Sequence, residues 1–467
     1  MIVEHTIVGL LQTNGNITNV EVCGHSRYSF QIRLPKAPPY IVPFNADGFT
    51  IELDGKRIEL GRCRMLPVKH AATSTALPQY LVLLLDDTVD VADLIGKKRF
   101  TVYDTGLFNL QLILNQKEKV NQRFKEYSAN LTFELNVYKQ FFDDLDRKFL
   151  KEPGPVQEHL HQMILEREGQ AFMEFFESKV LELQEQTKNF SKDENEAHGF
   201  FFRKQVWDFI LHSAFMLRTN LKPRGYAGDY EMMKMIYENE IMGKSLFARL
   251  LHSYPLQIPA ANAVRNRRRM IANQIREAVE NHGNADFRAM SVACGPADEI
   301  GEAFSDMVEL KKIHFTLLDQ DMEALRVAMN TVNQLELEKG ISIHVRYIND
   351  SVRSMLRIRD LPGAWGRFDF IYSMGLFDYL TPPVARAVLA RLFEMLRPGG
   401  KLIVGNFHVS NPDKAFMEYW LDWVLYHRTE EEMLELASTL PGHSRIFFEK
   451  TGCQMFLELR APNGKTV

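Results

Sequence analysis

The chain has 467 residues, 45% of them apolar and 25% charged, with a formal net charge of −4. That length exceeds one ordinary core, so two or three domains are expected. The near-balanced charge excludes a nucleic-acid surface built on basic excess, and no apolar run reaches the roughly 20 residues that a membrane span needs.

Residues 1–110 read as strands. SRYSFQIRL, FTIELDGKRIEL and YLVLLLDD are short apolar or alternating runs, and Asp54-Gly55 is a hairpin signal. They predict a small β-barrel or sandwich. Residues 111–280 read as helices. Phe124, Tyr127, Leu131, Leu135 and Tyr138 recur at steps of three and four, the mark of one buried face. EPGP at 152–155 breaks that helix. A second run follows through MILEREGQAFMEFFESKVLELQEQ, the polar KNFSKDENEAHG reads as a loop, and FRKQVWDFILHSAFML and YEMMKMIYENEI complete the layer.

From 281 onward, strand-like runs alternate with helices: RAMSVA, HFTLLD, SIHVRYI, FDFIYS and KLIVGNF. Ile300, Ala303, Phe304 and Met307 share one helix face; Leu325, Ala328, Met329 and Val332 share another. This alternation predicts a parallel, doubly wound sheet. SRIFFEKTGCQMFLELR adds two strands joined at Thr451-Gly452, and WLDWVLYHRTEEEMLELA reads as a helix over the site or against the sheet. The four cysteines, Cys23, Cys63, Cys294 and Cys453, show no CxxC or metal-ligand spacing and read as free thiols of a reducing compartment. The start MIVEHTIVGLLQ carries Glu4 and no basic stretch, so it does not read as a secretory signal. A cytoplasmic location is expected.

Ligands of an open α/β sheet sit beyond the carboxyl ends of its strands. After the first strand comes Ala293-Cys294-Gly295-Pro296, where Gly295 has no Cβ to block a ligand. After the second come Asp319, 24 residues past Gly295, then Gln320 and Asp321. An acid at that separation commonly meets ribose hydroxyls. Asn349-Asp350-Ser351 and Ser373-Met374-Gly375 follow the next two strands. Asp and Asn at such places also serve as plain caps and turns. A dinucleotide fingerprint needs G-x-G-x-x-G, and only Gly295 and Gly301 are present. Glu299 would set a negative charge where a pyrophosphate lies. A phosphate-free nucleoside with a cationic sulfur fits better.

Outside the strand ends, LKPRGYAGDYEMM packs Arg224, Gly225, Tyr226, Gly228 and Asp229 into a tight loop. Arg265 shares a helix face with Arg268 or Arg269; such a pair either holds an acidic group or is simply solvated. His408 follows the fifth strand, and Tyr379 follows GLFD. Phe172, Phe175, Phe176, Met216, Met232 and Met233 permit an apolar tunnel, although core packing explains them equally well.

ACGPADE, LLDQD, INDS, LRPGGKLIVGNF and the terminal hairpin occur in an order that resembles the class I S-adenosylmethionine-dependent methyltransferases, over roughly 281–460. The resemblance implies a multi-domain α/β chain: a barrel over 1–110, a helical substrate or lid region over 111–280, and a Rossmann-like seven-stranded sheet over 281–467. It implies that Cys294, Gly295 and Pro296 line the methionine end of the cofactor, that Asp319 or Asp321 binds the ribose diol, and that Asp350 with Asn349 meets the adenine. Ser373 and Met374 would floor the reactive methyl; Ala293, Gln320, Ser351 and Gly375 complete the set. The departure is Pro296-Ala297, where the family has a small glycine-rich run. RGYAGDYEMM, YSMGLFDYL and NFH are further similar to a bacterial subfamily described as making a 3-hydroxypalmitic acid methyl ester, a diffusible signal. That implies a fatty-acid carboxylate as acceptor, Tyr226, Asp229 and His408 as catalytic candidates, and Arg224, Gly225, Arg265 and Tyr379 around the acceptor. The front resembles PilZ-type barrels but has Arg62 and Arg64 only two apart and no D/NxSxxG turn, so a cyclic-dinucleotide ligand is not expected there. No metal and no nucleic-acid partner is expected; a homodimer is allowed. The rival readings are a non-catalytic sensor of the cofactor and an aminopropyl transferase on the same fold.

Overall fold

A computed structural model of the chain describes residues 8–25, 30–36, 43–53, 56–67, 79–85, 114, 116–282, 286–304 and 313–463. The chain divides into two compact units, Met1–Glu118 and Lys119–Val467.

The first unit holds an antiparallel sheet of β1 (Val8–Thr13), β2 (Asn16–His25), β3 (Phe30–Arg33), β4 (Phe44–Ala46), β5 (Gly48–Leu53), β6 (Lys56–Glu59), β7 (Cys63–Pro67) and β8 (Gln79–Leu84). Alternate residues such as Phe30 and Ile32, and Phe49 and Ile51, are fully buried, as a period of two requires. The β1–β2 hairpin turns at Asn14-Gly15, both with positive φ, a pairing suited to a tight hairpin. Asp54-Gly55 lies outside the described residues, although β5 and β6 on either side of it pair antiparallel. The expected closed barrel is not what the described strands form. Their order, β4-β7-β8-β3-β2-β1-β5-β6, is open. Closure needs a ladder between the end strands, and β4 and β6, of three and four residues, carry few backbone groups to make one.

The second unit opens with a helical layer: α1 (Gln122–Phe149), α2 (Gly154–Thr187), α3 (Lys192–Ile210), α4 (Ala214–Leu221), α5 (Tyr230–Glu238), α6 (Leu246–Gln257) and α7 (Pro259–His282). Asn121 caps α1 by accepting the Phe124 N–H at 2.8 Å. The stretch expected as a loop, KNFSKDENEAHG, instead contains the start of α3. Ser191 and Glu194 form a reciprocal capping box there, so the polar residues are a helix start rather than a linker. Phe172, Phe176, Met216 and Met232 are fully buried in the core of this layer.

The rest of the unit alternates: β9 (Phe287–Val292), α8 (Asp298–Ala303), β10 (Ile313–Asp319), α9 (Met322–Lys339), β11 (His344–Asn349), α10 (Val352–Arg357), α11 (Leu361–Trp365), β12 (Phe368–Ser373), α12 (Pro382–Glu394), β13 (Leu396–Phe407), α13 (Lys414–Tyr419), α14 (Glu430–Glu435), β14 (His443–Phe448) and β15 (Gln454–Arg460). The seven strands run β11-β10-β9-β12-β13-β15-β14, parallel except for β15, which is antiparallel to both its neighbours. The five inner strands read as nearly continuous apolar runs because both sheet faces are covered there; Ala289 packs on one side and Met290 on the other, while the edge strands β11 and β14 are more exposed. The direction of strand addition reverses between β9 and β12, which opens a crevice there.

Two expected helix details change. Met329 is 41% exposed, off the buried face shared by Leu325, Ala328 and Val332, and Met307 lies outside the described residues. WLDWVLYHRTEEEMLELA is not one helix: between α13 and α14 the chain is not helical. Asp422 takes a positive φ, and Lys222 and Arg203 hold its carboxylate at 2.5 and 3.0 Å. From there Trp423 and Leu425 turn inward while Val424 and Tyr426 face solvent, the alternation of a strand.

Candidate active site

The turn after β9 has three residues in the left-handed region, Ala293 (φ 54), Gly295 (φ 56) and Ala297 (φ 55). An alanine pays roughly 1 kcal/mol or more to sit there. The backbone thus keeps the shape of a glycine-rich turn with a single glycine. A Cβ at Gly295 would meet nothing within 4 Å, so the position faces open space. Asp319, at the tip of β10, fastens the turn. One carboxylate oxygen accepts the Gly295 N–H at 2.9 Å and the other accepts the Asp321 N–H at 2.9 Å. Burial pushes the Asp319 carboxyl above its usual range, against the pull of those two N–H groups.

Gly295 and Asp319 open on a cavity of about 360 Å³ between the strand ends and the helical layer. Its far wall is aromatic. Trp423 donates its indole N–H to the Tyr379 hydroxyl at 2.8 Å, and the Tyr226 ring meets that of Tyr379 edge-on at 6.1 Å. Gly228 is required by this packing. A Cβ there would lie 2.5 Å from the Trp423 ring and 2.6 Å from the Tyr379 hydroxyl.

Of the candidates from the sequence, Ala293, Cys294, Gly295, Pro296, Asp319, Gln320, Asp350, Ser351, Met374, Gly375, Gly225, Tyr226 and Tyr379 line this cavity. The others are engaged around it. Asn349 donates to the carbonyls of Asp319 and Gln320, both at 3.1 Å. Ser373 is fully buried and donates to the Val292 carbonyl at 2.8 Å, tying β12 to β9. Asp321 caps α9 and accepts from Nη1 of Arg224 with both carboxylate oxygens at 2.9 Å, stapling the loop before α5 to the sheet. Asp229, fully buried, caps α5 and holds Arg218 through three hydrogen bonds of 2.7–3.0 Å. Arg265 donates to the carbonyls of Ile236 and Leu256, closing helix ends. His408 sits between Ser410 and Glu430, at 2.7 and 3.0 Å, away from the cavity lining. Among the tunnel candidates, Met233 lines the cavity while Phe172, Phe176, Met216 and Met232 stay in the core.

Residues 289–400 match the protein family described as "Methyltransferase domain". The second unit carries a methyltransferase domain. No curated protein sequence matches the chain. Solved structures similar to it include a possible exported protein from Bordetella parapertussis, at 15% identity over 63% of this chain and 97% of that one, TM-score 0.43. Magnesium protoporphyrin IX methyltransferase from Synechocystis PCC 6803 with bound SAH aligns at 10% identity over 43% and 86%, TM-score 0.33. N-methyltransferase NodS from Bradyrhizobium japonicum WM9 aligns at 14% over 42% and 96%, TM-score 0.28.

The residues present fit S-adenosylmethionine, the cofactor that the sequence resemblance implies for a methyltransferase domain. Among the described residues Asp319 accepts only backbone N–H groups, which leaves lone pairs for a ribose diol. Glu299 lines the same cavity and makes a pyrophosphate unwelcome. Its carboxylate accepts the Tyr372 hydroxyl at 2.9 Å, and burial pushes it up to about 7. Tyr226 is also pushed above its ordinary range, first by burial and then by Asp319 and Asp321, so it remains a phenol at neutral pH rather than a base.

Sequence reasoning passed over Arg267, Asp378 and Trp423, all in this cavity. Arg267 is 6% exposed; it donates to the Met374 carbonyl at 3.2 Å and touches the Met233 sulfur at 3.2 Å. Its Nε has no hydrogen-bond partner, and no carboxylate pairs with it among the described residues. RNRRRM offered four arginines without showing which turn inward; Arg268, named there beside Arg265, also lines the cavity but is held by Glu302 at 2.8 Å. No helix among the described residues is long and apolar enough to cross a membrane.

Proposed function

We propose that this protein methylates a carboxylate oxygen of a small organic acid, the 3-hydroxy fatty acid type that the sequence resemblance implies. Arg267 is the observation that supports it most. A guanidinium without an ion-pair partner in a low-dielectric cavity favours an anion beside it. When bound, the cofactor supplies a methyl group on a cationic sulfur with an excellent leaving group. A carboxylate acceptor then needs no base, only alignment and exclusion of water. In this reading Asp319 holds the ribose, Asp350 the adenine edge, and Met374 and Gly375 border the reacting methyl. Tyr226, Tyr379 and Trp423 close the acceptor side. The helical region contributes the acceptor wall, and the front unit serves protein contacts as a PilZ-like module without its nucleotide.

Purified protein incubated with S-adenosylmethionine and a series of 3-hydroxy fatty acids should release S-adenosylhomocysteine and the methyl esters, read by mass spectrometry. Tight binding of S-adenosylhomocysteine with no ester from any acid would turn the reading toward a sensor.

A further inference from the structure

We propose that Asp378 selects the acceptor by accepting a hydrogen bond from an O–H or N–H group carried near the oxygen that is methylated; this rests on the carboxylate reading above. Asp378 lies in the single 3₁₀ turn Phe377–Tyr379 just past β12 and is 2% exposed. It lines the cavity beside Tyr379, Phe407 and Trp423. One carboxylate oxygen accepts the Phe407 N–H at 2.7 Å. The other has no donor among the described residues. That oxygen opens on the cavity, and once a bound acceptor displaces water there, leaving it without a donor is costly, so a ligand that brings one is favoured.

The group is also held still. The Asp378 carbonyl accepts the Tyr426 N–H at 2.8 Å, and Arg428 donates to the carbonyls of Phe377 and Leu380 on either side of it. No ion pair neutralises Asp378 among the described residues, although Arg267 and Arg428 are close enough to act on it through their charge. Burial pushes its carboxyl up to about 6, with the Phe407 N–H and the two arginines pulling back; in its carboxylate form the group only accepts hydrogen bonds. The cavity therefore offers a cation and an acceptor-only group against an aromatic wall. An acid alone satisfies the first; an acid with a neighbouring donor satisfies both. Asp378 has no proton to remove, because a carboxylate acceptor carries none. Its role is discrimination, the kind in which a missing donor leaves a buried partner unpaired.

The test compares 3-hydroxydecanoate with decanoate as acceptors. The wild type should favour the hydroxy acid about tenfold or more in kcat/KM, and Asp378→Asn, which keeps the oxygen facing Phe407 but turns an NH₂ into the cavity, should bring that ratio near one. S-adenosylhomocysteine affinity by calorimetry should stay within about twofold, reporting an intact fold. Should Asp378→Asn not fold, Asp378→Ser reads the same ratio. A wild type that does not discriminate, or a variant that keeps the preference, overturns the proposal. If neither acid is methylated, the carboxylate reading fails by itself. Calorimetric titration of the same two acids into the S-adenosylhomocysteine complex then decides for Asp378: preferential binding lost in the variant supports it, and equal or absent binding overturns it.

Discussion

The two walls of the cavity at the strand ends teach different lessons. The strand-end wall is made of short segments that each follow a strand: 293–296 after β9, Asp319 and Gln320 after β10, Asp350 and Ser351 after β11, Met374 and Gly375 after β12. Backbone does much of the work there, and Asp319 ties neighbouring strand ends together. The opposite wall comes from residues far apart in the chain: Tyr226 before α5, Arg267 on α7, Trp423 on the non-helical segment after α13. Side chains do the work there, and each is placed by packing against another element. The first wall is suited to a constant ligand, the second to a variable one.

The sharpest way to break that contrast is Asp229→Ala. Asp229 belongs to the scaffold of the second wall, and removing it leaves Arg218 partly buried without its main partner. Urea denaturation should show a loss of about 3 kcal/mol. Reduced turnover at unchanged stability would instead return Asp229 to the chemistry.

Glu299 tests the first wall by its pH response. Its folded-state carboxyl sits at about 7 against an ordinary 4.5, so the folded protein disfavours ionisation. Wild-type stability should therefore fall as pH rises from about 4.5 to about 7 and then level off. Glu299→Gln should be more stable than wild type by up to about 3 kcal/mol at pH 8, with no advantage below pH ~4.5. Equal denaturation curves at pH 8 would mean that Glu299 is solvated.

Two further substitutions separate the walls directly. Asp319→Ala should weaken S-adenosylhomocysteine binding by about 1–3 kcal/mol in calorimetry. Arg267→Met should leave that affinity unchanged and raise the acceptor KM by about tenfold. If Arg267→Met costs cofactor affinity instead, the buried charge belongs to the first wall. The smallest effect is expected at Ala293, which is exposed to the cavity and strained. Ala293→Gly should stabilise the protein by about 0.5–1 kcal/mol, visible as a small rise in Tm.

Much of the first wall was legible because strand–turn–helix punctuation is local. Gly295, Asp319 and Asp350 stand where a buried apolar run stops, and a ligand at that edge must meet them. The strain at Ala293 and Ala297 was not legible, since alanine is ordinary in a helix start and its left-handed conformation is imposed by the turn. On the second wall, Arg265 drew attention by its spacing, yet it closes helix ends while Arg267, two residues on, points to the cavity. Helical spacing tells which residues share a face, not which face a sheet will cover. Trp423 was hidden for another reason: LDWVLY is apolar enough for a helix or a strand, and the Asp422 contacts with Lys222 and Arg203 decide between them.

By itself the sequence determined the alternation of strands and helices, the closing hairpin and the residues at the strand tips, because periodicity and turn chemistry act between near neighbours. Tertiary structure alone decided that the front sheet is open, that Asp229 is scaffold, and that Arg267, Asp378 and Trp423 share one cavity. Those outcomes depend on contacts between residues tens to hundreds of positions apart, and no local pattern encodes which of several similar side chains such contacts will bury.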